Sequence, residues 1–170
     1  MPFNIPTFNT SNISFGPGVL YLREWQANSG ASTALVGNTP SVEVGAISED
    51  GITVEMTSEK KYISQGNPRL NIFSFSQVQG ASLSVTSIEW NFSNFKAGIG
   101  SGVVDTGSDP DTFGFGGDPA CLEVALYVLH KMPDGKDLKI YIWKAVAETG
   151  VTIPLGQDEH SFEYKWNAMY

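Results

Sequence analysis

Residues 81–100, ASLSVTSIEWNFSNFKAGIG, show a change of period within twenty positions. Leu83 and Val85 alternate with Ser82, Ser84 and Thr86, the period-two pattern of a half-buried strand. Phe92, Phe95 and Ile99 then stand at i, i+3 and i+7, one face of a helix. Asn91 or Ser93 is placed to accept from the unpaired amides of its first turn. Gly98 weakens the interior, and Gly100 supplies the left-handed residue that ends it. The pattern therefore predicts a strand feeding a short core helix, with Phe92, Phe95 and Ile99 facing inward and Trp90 at the junction.

Elsewhere the chain reads as strands. Residues 1–14 mix Pro, Asn, Ser and Thr with isolated Phe3, Ile5 and Phe8, and predict an N-terminal arm ordered against something else. The rest, 15–170, predicts a single β-rich domain. Strands are expected at 18–23, 41–47, 52–57, 122–130, 138–145, 151–154 and 162–166, besides the central one. Ser48-Glu49-Asp50-Gly51 has the chemistry of a hairpin connection between the second and third of these. In 52–57, Ile52, Val54 and Met56 share one face, and Thr53, Glu55 and Thr57 the other. Residues 24–40 and 101–120 are turn-rich loops.

Residues 58–80 fit none of these periods. They carry Tyr62, Ile63, Leu70, Ile72, Phe73, Phe75 and Val78, and predict a long loop. Loops of that length inside a compact domain are uncommon and usually functional. One so rich in large apolar groups needs a partner surface. The fold class that follows is all-β with one short helix, a sandwich or barrel of seven or eight strands.

Composition narrows the function. The 170 residues carry 10 Lys and Arg against 18 Asp and Glu, a net charge of −8, which disfavours phosphate gripping and anionic membrane surfaces. Lys60 and Lys61 form the only adjacent basic pair. A single cysteine, Cys121, excludes an intramolecular disulfide and reads as a small core residue. No apolar run reaches the length of a membrane span, and the N-terminus lacks a signal-peptide pattern. The product is expected to be cytosolic when made.

The candidate chemistry is sparse. Asp105, Asp109, Asp111 and Asp118 lie in one Gly-rich loop, but neither the EF-hand order nor a calcium-binding repeat is present, and turns select the same residues. His130 and His160 stand at no metal-ligand spacing with each other or with Cys121. No phosphate loop, dinucleotide fingerprint or Gly-x-Ser-x-Gly elbow occurs. Trp25, Trp90, Trp143 and Trp166 suit a sugar platform less well than core and interface positions. The Asn12 and Asn91 sequons carry no weight without secretion. No catalytic residue, metal or cofactor is expected.

Three stretches together resemble the tail tube (major tail) proteins of long-tailed bacteriophages: GAISEDGITVEMTSEKKYISQGNPRL, ASLSVTSIEWNFSNFKAGIG and IYIWKAVAETGVTIPLGQDEHSFEYKWNAM. The likeness spans roughly residues 41–169, leaves out 24–40 and 101–120, and consists of diffuse patterns. It implies a β-sandwich or barrel-like subunit with a flanking helix, assembled with itself as hexameric rings stacked into a hollow tube. The subunit would be made in the host cytoplasm and end in the virion tail, a structural protein through which DNA passes at ejection. Tape measure, tail tip and terminator proteins would be its other partners. Contractile-tail and type VI secretion tubes are similar in fold and form an alternative. A β-sandwich module binding carbohydrate or calcium is another.

On this reading the inter-ring contacts fall on Lys60, Lys61, Tyr62, Ile63, Arg69, Leu70, Ile72, Phe73 and Phe75. The lumen-facing candidates are Thr53, Glu55, Thr57, Ser82, Ser84 and Thr86. A wall of such residues suits DNA in transit, because each phosphate bound by Lys or Arg would slow its passage.

Overall fold

The computed structural model describes residues 18–25, 42–66, 69–107, 109–116, 121–132, 134–148, 150–156 and 160–169. The expected arm at 1–14 and most of the 24–40 loop lie outside the described residues. Among the described residues nine strands and one helix follow in order: β1 (Gly18–Glu24), β2 (Val42–Glu43), β3 (Ile47–Gly66), β4 (Arg69–Ser87), α1 (Phe92–Ile99), β5 (Val103–Asp105), β6 (Thr112–Gly114), β7 (Glu123–Lys131), β8 (Asp137–Ala147) and β9 (Phe162–Ala168). The protein is all-β with one short helix.

Seven strands form one antiparallel sheet in the order β2-β1-β7-β8-β9-β4-β3, and β5 pairs with β6 alone. Alternation along these strands separates two faces. Leu20, Leu22, Leu83, Val85, Val124, Leu126, Ile142, Phe162, Tyr164 and Trp166 point to one, and all are buried. That face carries the core and is covered by α1.

The sheet is not closed into a barrel: its outer strands β2 and β3 do not pair with each other. Its curl nevertheless brings the two ends together. Only Val44, Gly45 and Ala46 separate β2 from β3. Val44 N–H donates to Leu20 O on β1 (2.9 Å), while Ile88 N–H, just after β4, donates to Ala46 O (3.1 Å). The buried Asn94 of α1 donates its side-chain amide to Val44 O at 2.8 Å. The helix thus ties down the three-residue bridge between the ends of the sheet.

The helix forms where the periodicity predicts it, and for the reasons given. The Asn91 side-chain oxygen accepts from Ser93 N–H (2.9 Å) and Asn94 N–H (3.4 Å), satisfying two donors that have no partner within the helix. Gly100 ends it at φ 78, its N–H donating to Lys96 O. Phe95 is fully buried, with Phe92 and Ile99 half-buried against the core. Around Phe95 the ring centroids of Phe162, Trp90 and Phe92 lie at 4.9, 5.7 and 5.9 Å. Trp166 donates its indole N–H to Ala97 O at 3.0 Å, in the interior. Gly98 is required by packing, since a Cβ there would collide with the Tyr164 ring at Cδ1.

Four expectations are corrected. Ser48-Glu49-Asp50-Gly51 is no hairpin turn but an irregularity within the single strand β3, where Ile47 faces Ser87 and Ile52 already faces Val85. Gly51 adopts φ 72, and Asp-Gly serves a bulge as readily as a turn. Residues 151–154 form no strand. The 101–120 loop contains the β5–β6 pair, which lays Phe113 on Phe92 with centroids 6.0 Å apart. Cys121 is exposed, ahead of the first residue of β7, and is not a core residue.

Candidate assembly surface

The most consequential correction concerns residues 58–80, which are not a loop. They are the outer part of a long hairpin, β3 with β4, paired from Ile52↔Val85 to Gly66↔Arg69. β9 supports β4 only from Ser82 to Ser87. Beyond Ser82 the described residues supply no third strand, and about ten residues of each arm run on as a two-stranded ribbon. At about 3.3 Å per residue it reaches roughly 30 Å past the sheet. Its described side chains from Met56 to Gly66 and at Asn71 and Phe73 to Phe75 are exposed on both faces, so nothing imposes a buried side on them and alternation disappears. Register shifts at Glu59/Lys60 and Ile63/Ser64 break the period further.

The register shows which expected contact residues the ribbon brings together. Lys61 faces Phe75 and Ile63 faces Phe73, two positions apart, so these four share one side. The two Phe rings lean on each other at 6.3 Å. Tyr62, opposite Ser74, lies on the other side with Lys60. Phe73 is 60% exposed, Tyr62 54%, Ile63 50% and Phe75 41%. Met56, at the root, is 70% exposed. Arg69, Leu70 and Ile72 are strand residues of β4, and their side chains lie outside the described set.

The six polar candidates come together on the sheet face opposite α1. Thr53 is level with Ser84 and Lys165, Glu55 with Ser82 and Asn167, and Thr86 with Glu163. Ser82 Oγ donates to Glu55 Oε2 at 3.5 Å, and Thr57 Oγ1 donates to Gly80 O at 3.4 Å. Glu163, Lys165 and Asn167 complete this face and were missed, although the alternation of 162–166 already placed them outward. Lys165 is not a free cation: its Nζ lies 2.8 Å from Glu148 Oε2. The hydrogen bond from Lys165 lowers the Glu148 carboxyl below its ordinary range, and the same bond raises Lys165. An open cleft of about 630 Å³ borders this face between Asp50, Thr86, Thr152, Ser161, Glu163 and Lys165.

The same sheet face changes character across its width. Toward β1, β7 and β8 it carries Tyr21, Tyr127, Tyr141 and Trp143, stacked in succession at 5.7, 4.7 and 5.1 Å. Burial, reinforced by the neighbouring Tyr141, raises the Tyr127 hydroxyl above its usual pKa.

Among the described residues, the candidate side chains for chemistry lie apart. His160 packs edge-on to Trp90 at 5.7 Å, and His130, next to last in β7, lines an apolar groove. Asp105 accepts from Gly107 N–H within its own turn, and Asp118 lies outside the described residues. Among the described residues no three His, Cys, Asp or Glu side chains gather as a metal site. Among them, too, no helix is long and apolar enough to cross a membrane.

Neither family models nor curated proteins match this chain. Its functional reading therefore rests on the ribbon and on the polar face.

Proposed function

We propose that this chain is a structural subunit of a bacteriophage tail tube, assembling with itself into stacked hexameric rings that enclose a conduit for DNA. The observation that carries the reading is the unsupported ribbon. Aromatic and aliphatic side chains held out on a two-stranded arm are stable only transiently in water, because an isolated hairpin is marginal and its edges invite pairing. Further copies of the chain cover such an arm without any second component.

The polar face supports the second half of the proposal. Thr53, Ser82, Ser84 and Thr86 offer hydroxyls, Glu55 and Glu163 offer negative charge, and Lys165 is held by Glu148. DNA beside such a wall is repelled or ignored rather than bound. Turned toward the bore, the face lets DNA pass.

Negative-stain microscopy of the concentrated protein tests this. Hollow tubes or stacked rings are expected from the full chain. Deletion of 62–75 is expected to leave a folded subunit that forms none. Normal tubes from the deletion, or none from the full chain, contradict the proposal.

A further inference from the structure

The curled sheet leaves a groove where the root of β3 approaches the ends of β7 and β8. Its volume is about 820 Å³, within the roughly 300–1,000 Å³ of pockets that enclose a ligand. Ile52, Val54, Val128, Leu138 and Ile140 form its floor, and Gly18 allows the close approach, since a Cβ there would lie 3.3 Å from Ile52 Cδ1. Leu138 is 47% exposed. Glu49 and Asp50 stand exposed on the rim, with His130 the other titratable group lining it.

The ribbon has the complementary character. The side carrying Ile63, Phe73 and Phe75 also carries Lys61, while Lys60, the preceding residue, projects from the other side; the two are the only adjacent Lys or Arg residues in a chain of net charge −8. A basic, apolar tip and an acidic-rimmed, apolar groove lie at opposite ends of one strand. We infer that the Ile63/Phe73/Phe75 side of the ribbon seats in the Ile52/Val54/Leu138/Ile140 groove of a second copy, with Lys61 on that side meeting Glu49 and Asp50 and Lys60 adding positive charge from the opposite side.

A chain cannot fill its own groove in this way. The ladder from Ile52↔Val85 outward holds the tip away from the root. Eleven residues separate Ile52 from Ile63, which at about 3.3 Å each sets tip and groove roughly 36 Å apart. The contact is head-to-tail, so each copy offers one tip and one groove, and addition continues along one direction. The step between successive copies is then about 36 Å. The inference rests on the tube reading and assigns the surface that receives the ribbon.

Charge reversal tests it without disturbing the core, because all four charged residues are exposed. One variant carries Lys60→Glu and Lys61→Glu, the other Glu49→Lys and Asp50→Lys. By sedimentation velocity each alone is expected to associate at least tenfold more weakly than the unaltered chain. An equimolar mixture is expected to recover association to within a few-fold, since each reversed tip then finds a groove of opposite charge. A mixture as dispersed as its components overturns the inference, as does a groove variant that assembles normally. If assembly tolerates the ribbon reversal but is lost on removing residues 1–14, the groove receives the N-terminal arm and the assignment is wrong. An unaltered chain that stays monomeric overturns the tube reading along with it, whereas assembly indifferent to Glu49 and Asp50 overturns this assignment alone.

Discussion

The β3–β4 hairpin is two different structures along its length. In its inner part, Leu83 and Val85 lie level with Trp166 and Tyr164 of β9 and are buried. In its outer part, Phe73 and Phe75 extend from the same strand into solvent. Backbone pairing runs through both parts, interrupted in the outer one by register shifts at Glu59/Lys60 and Ile63/Ser64. What differs is the layer beneath. The inner part has α1 and β9, and the outer part has only its own partner arm. A strand pair without a third strand or a helix is marginal in water, and on the proposed reading sister copies supply the missing layer.

Paired truncations on β4 sharpen the contrast most. Leu83→Ala removes a fully buried side chain and is expected to cost about 2–5 kcal/mol in urea unfolding. Phe73→Ala, ten residues away, is expected to shift monomer stability by less than about 0.5 kcal/mol while abolishing assembly. Equal costs for the two would erase the distinction. Gly98→Ala comes next, since the added methyl collides with Tyr164 and prises α1 from the sheet under the inner part. A loss of about 1–3 kcal/mol is expected, seen as a lower melting temperature. Asn91→Ala removes the helix cap at a cost of about 1 kcal/mol in the same assay.

Tyr164 gives the smallest effect and a pH signature. Its ring is buried, its hydroxyl has no hydrogen-bond partner among the described residues, and burial raises its pKa. The fold therefore favours the neutral phenol. The associated stability is complete below the unfolded value of about 10 and is lost as pH rises above it. Tyr164→Phe is expected to be neutral or slightly stabilising at pH 7 and to blunt alkaline unfolding. An unchanged alkaline limb in denaturation profiles would show that another group governs it.

The legible parts of the fold are those with a layer beneath them. Leu83/Val85, the 122–130 run and the Phe92/Phe95/Ile99 stripe each face the core, and burial writes its period into the sequence. The six polar candidates were readable as the other side of that alternation. The ribbon was not, because with both faces in water no position has to be apolar or polar. Its Phe and Ile nonetheless marked it as unusual, and Ile63, Phe73 and Phe75 are exposed in the structure. Asp50-Gly51 was misread because a positive φ serves turn and bulge alike. The groove was invisible, being assembled from β1, β3, β7 and β8 by the curl of the sheet. Asn94 at the bridge of the sheet also escaped notice, since a polar residue between two core aromatics has no periodic signature.

Amide hydrogen exchange, followed as protein concentration is raised, bears most directly on the proposal that sister copies cover the ribbon. Amides of 58–66 and 69–80 are expected to exchange rapidly in dilute protein and become protected as copies associate, while those of 82–87 stay protected throughout. Ribbon amides equally protected at every concentration, or exposed at all of them, would contradict the account.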